Sequence, residues 1–114
     1  MSTPPACFRF HPFRSRADVY YFAYGFKKPI APLLCLQIAQ QNLANAGFTV
    51  FDPVQPGKVT LGATHTDAGV MVTVVALDCE GGAAVVINSF CASDLAVDSA
   101  KMVAESVYNG IEYA

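Results

Sequence analysis

Charge is scarce in this sequence. Asp, Glu, Lys and Arg make up 14% of its 114 residues and hydrophobic residues 54%, whereas roughly 25% of an average soluble protein is charged. Little polar material is left to cover a monomer. Long apolar runs are missing as well. The best candidate for a span, Val70 to Leu77, falls far short of the ~20 residues a membrane helix needs. Met1-Ser2-Thr3-Pro4-Pro5-Ala6-Cys7 has neither the basic segment nor the apolar core of a secretory signal, and its two prolines would break such a helix. The expected location is cytoplasmic, with no membrane partner.

Metal and cofactor spacings are also lacking. Cys7, Cys35, Cys79 and Cys91 are separated by 27, 43 and 11 residues, with no C-x-x-C pair. In a reducing compartment they read as small buried hydrophobes. Cys79 lies between Asp78 and Glu80, an acidic setting that disfavours a thiolate. His11 and His65 could share a metal only with distant Asp52, Asp67 or Asp78, and no pair of ligands stands at i, i+4 on a helix. Gly57 and Gly81-Gly82 belong to no phosphate-binding loop. Neither a metal nor a cofactor is expected.

What is present divides into segments. Residues 1–29 form an aromatic, basic N-terminal arm: Arg9, Arg14, Arg16, Lys27 and Lys28 against Asp18 give it +4, while residues 30–114 carry −6. Within the arm, residues 18–26 are dense in strand-favouring residues and read as an additional strand or an ordered aromatic stretch. Residues 30–114 read as a single α+β domain. From Pro32 to Gly47, the positions Leu36, Ala39, Leu43 and Ala46 recur at helical spacing and predict an amphipathic helix, with Pro32 in its first turn and Gly47 past its end.

The period then changes to two. Punctuation at Pro53–Gly57, Asp67-Ala68-Gly69 and Glu80-Gly81-Gly82 separates four strands, Phe48–Asp52, Lys58–Thr66, Val70–Cys79 and Ala83–Cys91. Their connections are too short for parallel crossovers, so a four-stranded antiparallel meander is expected. A second helix opens at Ser93-Asp94, carries Ala96, Ala100, Val103 and Val107 on one stripe, and is expected to stop at Asn109-Gly110.

The third and fourth strands are apolar on both faces. Val70, Val72, Val74 and Ala76 oppose Met71, Val75 and Leu77, and Val86 and Phe90 oppose Val85 and Ile87. Leaving four such side chains in water forgoes about 1.5–3 kcal/mol each, so something must cover the second face. One covering is a homodimer contact through Val70, Val72, Val74 and Val86, with the arm contributing. A second is the aromatic arm folding back over its own sheet, and a rival reading places one helix on each face of the sheet.

Candidate sites are few. His65-Thr66-Asp67 brings an imidazole, a hydroxyl and a carboxylate together, yet a hairpin turn calls for the same residue types; His65 and Asp67 are the only catalytic candidates. Tyr20, Tyr21, Tyr24 and Phe26 could line an apolar ligand pocket, or fill core and interface. The +4 arm could meet nucleic acid, but the net charge of −2 and pI near 5.5 argue against it. These features together point to a non-enzymatic, self-associating interaction protein with a protein partner. A small-molecule binder or enzyme is the alternative, and nucleic-acid binding the weaker one.

Overall fold

The computed structural model describes residues 6–10 and 19–114. In chain order the elements are β1 (Ala6–Phe10), β2 (Tyr20–Lys28), α1 (Pro32–Asn45), β3 (Thr49–Asp52), β4 (Thr60–His65), β5 (Val70–Cys79), β6 (Gly82–Cys91), a 3₁₀ turn (Asp94–Ala96) and α2 (Val97–Glu112). All strand pairs are antiparallel. The fold is α+β, one antiparallel sheet with two helices.

The meander from β3 to β6 forms where its turn residues place it, but the sheet is wider than four strands. Its order is β1-β2-β6-β5-β4-β3, six strands in all. The physical reason lies at β6, whose second edge would otherwise expose a full row of unpaired backbone groups. Tyr20–Lys28 fills that edge, pairing from Tyr20↔Cys91 to Lys28↔Ala83. β1 then pairs alongside β2. Residues 6–10 of the arm therefore widen the sheet in its own plane rather than lying across a face.

Both helices pack on one face of the sheet and against each other, which overturns the expectation of one helix per face. β2 and β3 stand on opposite flanks of the sheet, so α1 must cross it to connect them. The buried set shows the covered face: Phe22, Ser89, Val72 and Ala63 form one row across four strands, and Tyr24, Ile87, Val74 and Leu61 form the next. Leu36, Ala39 and Leu43 of α1 and Ala100, Val103 and Val107 of α2 close over them.

α2 runs along β2 and is tied to it at both ends. The Tyr20 hydroxyl donates to the Asp94 carboxylate at the helix entrance. Lys28 Nζ donates to the Glu112 carbonyl at its exit, where a cation also complements the helix dipole. Between these ties Tyr24 stacks on Tyr108 at 5.1 Å, and Phe26 meets the same ring edge-on at 4.9 Å. At the start of the helical segment the Ser93 hydroxyl accepts from the Leu95 N–H at 3.2 Å, as its residue type predicts. At the far end α2 continues past Asn109-Gly110 to Glu112, against the expected stop. Gly110 instead lets the helices approach: a Cβ there would lie 1.7 Å from the Asn42 side-chain nitrogen.

Gly82 shows the opposite use of glycine. It closes the β5–β6 hairpin at φ +148°, where a Cβ would fall 2.2 Å from the Lys28 carbonyl oxygen. Only glycine fits both the dihedral and the backbone approach. At the other flank Lys58 pairs with Asp52, and Thr60 donates to the same carboxylate at 3.1 Å. The Lys58 hydrogen bond, seconded by Thr60, holds the Asp52 carboxyl below the usual carboxylate range.

Candidate functional site

Strand pairing dictates what the face of the sheet away from the helices presents. Residues paired across strands share a face, so Tyr21, Phe90 and Met71 form one row, Ala23, Asn88 and Thr73 the next, and Gly25, Val86 and Val75 a third. Leu77 continues the face along β5. Neither helix lies over these residues. Val86 is 42% and Leu77 51% exposed; on β2, β6 and β5 the polar side chains of the three rows are Tyr21, Asn88 and Thr73, and β4 continues the rows with Thr64, Gly62 and Thr60.

A shallow hollow of about 350 Å³ lies between Val19, Tyr21, Thr73, Asn88 and Phe90. Towards the β3 flank, Phe51, 54% exposed, lays its ring over Gly62, where a Cβ would sit 2.6 Å from the ring tip. The register shift between Val50 and Asp52 marks a bulge that turns Phe51 to this side.

A second feature lies at the edge of the helical layer. The α1–β3 turn, the β4–β5 hairpin and the first three turns of α2 border a cleft of about 340 Å³, lined by Ala46, Phe48, His65, Ala68, Ser99, Met102, Val103 and Ser106. His65 is held on three sides. Its Nδ1 accepts the Ala68 N–H at 3.2 Å, its ring meets Phe48 edge-on at 5.3 Å, and its Nε2 lies against Gly47. Acceptance at Nδ1 places the proton of the neutral ring on Nε2.

The candidate residues separate accordingly. Asp67 is exposed at the hairpin tip, and among the described residues no hydrogen bond or ion pair joins it to His65; the imidazole serves the turn through Ala68. Tyr20, Tyr24 and Phe26 pack between β2 and α2, whereas Tyr21 faces the open side. They do not converge on one pocket. Val86 lies on the open face, but Val70, Val72 and Val74 are on the covered one, fully buried beneath the helices. The alternation in β5 was legible, but which parity the helices cover was not, because both parities are apolar.

Among the described residues no three His, Cys, Asp or Glu side chains group to hold a metal. Asp52 is engaged by Lys58 and Thr60, and His11 lies outside the described residues. Cys35 and Cys91 are buried, and burial pushes both thiols up, away from the thiolate that a nucleophile requires. Among the described residues no helix is long and apolar enough to cross a membrane. The cleft itself was missed by sequence reasoning. The signal available for it was the spacing Ser99, Met102, Val103 and Ser106, at i, i+3, i+4 and i+7, which puts polar and apolar groups on one helix stripe.

No family model matches the chain, and no curated protein matches it. Among solved structures it is similar to CalU16 from Micromonospora echinospora, with a TM-score of 0.50 and 7% sequence identity over 93% of this chain and 86% of that one. At that identity the likeness concerns the arrangement of helices and strands alone.

Proposed function

We propose that this chain is a non-enzymatic, self-associating domain that pairs with a second copy of itself through the open face of its sheet. The observation that carries the reading is the apolar surface of β2, β6 and β5, with Val86, Val75, Phe90, Met71 and Leu77 on the side that neither helix covers. Exposed apolar patches of several hundred Å² mark interaction surfaces. Three strands at ~4.8 Å spacing and about 30 Å long present on the order of 400 Å², about half of the ~800 Å² that each partner buries in a standard interface, so the contact would extend onto β4.

A second copy suits this surface better than a charged partner does, because on β2, β6 and β5 its three central rows hold no charged side chain, Asp52 and Lys58 standing together at the β3 flank, and sheet faces pack on each other at ~10 Å. Asn88 and Thr73, paired at the middle of the face, would lie close to a two-fold axis, where their side chains could bond to those of the other copy and set its orientation. The cleft side of the molecule supports a non-enzymatic reading, since His65 has neither a carboxylate nor a nucleophile hydrogen-bonded to it among the described residues.

Light scattering across a dilution series tests the proposal. The intact chain should have the mass of a dimer, and Val86→Glu should weaken the dimer at least a hundredfold, because two carboxylates would enter an apolar contact. Val86 is partly exposed, so the variant should keep the circular dichroism of the parent. A parent that remains monomeric at high concentration would defeat the proposal.

A further inference from the structure

The cleft beside His65 has the size and chemistry of a ligand site, distinct from the sheet face on which self-association rests. Its volume of about 340 Å³ lies within the ~300–1,000 Å³ of small-molecule pockets. A cavity of ~150 Å³ accommodates benzene, so this one has room for two fused rings. Its walls are Phe48, Ala68 and Met102 over a floor that includes the buried Val103, and Met102 is 67% exposed at the rim.

We propose that this cleft binds an uncharged, two-ring, carbonyl-bearing small molecule, with His65 Nε2–H as the hydrogen-bond donor. The imidazole is oriented before any ligand arrives, because Nδ1 is committed to the Ala68 N–H and the ring is held against Phe48 and Gly47. Nε2 is then the donor, and among the described residues it has no partner. Ser99 and Ser106 lie two helical turns apart on α2, about 10 Å along its axis, and their hydroxyls can donate or accept at the two ends of a flat molecule lying over Val103. No cationic side chain lines the cleft, which favours a neutral acceptor over a carboxylate or phosphate.

The test uses 6-propionyl-2-(dimethylamino)naphthalene, an uncharged two-ring ketone with environment-sensitive fluorescence, added to the intact chain. Saturable one-to-one binding is expected, with amide chemical-shift changes at Gly47, Phe48, Ala68, Ser99 and Ser106. His65→Asn keeps an acceptor for the Ala68 N–H but loses the donor at Nε2, and should weaken binding about tenfold. Ser106→Trp, at an exposed helix position, should abolish it by filling the cleft. Absence of saturable binding would overturn the proposal. So would shift changes confined to Tyr21, Val86 and Phe90, which would place the probe on the open sheet face. The shift map is read on the unmodified chain, so the outcome stands even if a variant folds poorly.

Discussion

Ser89 sits in the row between Phe22 and Val72 under the helices, fully buried, and among the described residues its hydroxyl has no hydrogen-bond partner. A buried hydroxyl without a partner is unfavourable by about 1–3 kcal/mol, and deleting one oxygen leaves almost no cavity. Ser89→Ala should therefore stabilise the fold by about 1 kcal/mol, raising the melting temperature by about 4 °C. Thermal unfolding followed by circular dichroism checks this, and a lower melting temperature would mean that the hydroxyl is bonded in solution. The contrasting change is Val74→Glu. It drives a carboxylate into the centre of the same face and should prevent cooperative unfolding altogether. At this scale the sequence was a good guide to which residues are apolar and a poor guide to where they go. Val74 and Val86 are the same amino acid in neighbouring strands, and only the position of the helices puts one in the core and the other on the surface.

Among the elements, α1 and α2 illustrate how one residue carries different meanings in sequence and in structure. Asn109-Gly110 resembles a helix stop, yet Gly110 lies inside α2 against Asn42. Inside a helix, Gly→Ala normally stabilises by about 1 kcal/mol, but here the new methyl would meet the Asn42 amide. Gly110→Ala alone should be destabilising, whereas in an Asn42→Ala background the same change should be stabilising by about 1 kcal/mol. Chemical denaturation of the four proteins in this double-mutant cycle measures the coupling; additive effects would show that the amide swings aside freely. The helices, the four meander strands and their turns were legible because each rests on local signals: periodicity, Pro32, Ser93, and Gly69 or Gly81 at positive φ. The contact of α1 with α2 rests on residues 68 positions apart, and no local pattern records it. The cleft at His65 shares this property, being assembled from a turn, a hairpin and a helix.

For the whole molecule, the boundary between residues 29 and 30 follows composition and charge but not the core. Phe22 and Tyr24 from one side of it belong to the same buried cluster as Leu36, Val74 and Ile87 from the other. β2 is an inner strand with β1 outside it, and it is tied to α2 through Tyr20 and Lys28. Removing residues 1–29 would expose the β6 edge along nine paired positions and uncover the side of α2 that carries Tyr108. An unpaired apolar edge is a template for aggregation, so the chain 30–114 should aggregate and show no cooperative melt. Removing residues 1–10 takes away the outer strand β1, leaves Phe22, Tyr24 and both ties in place, and should give a folded chain with a lower melting temperature. Circular dichroism and light scattering on the two truncations distinguish these outcomes. If 30–114 were soluble and cooperative, β2 would be an accessory to a core that α1, α2 and the meander complete alone. If both truncations aggregated, the outer strand would be required to protect the β2 edge.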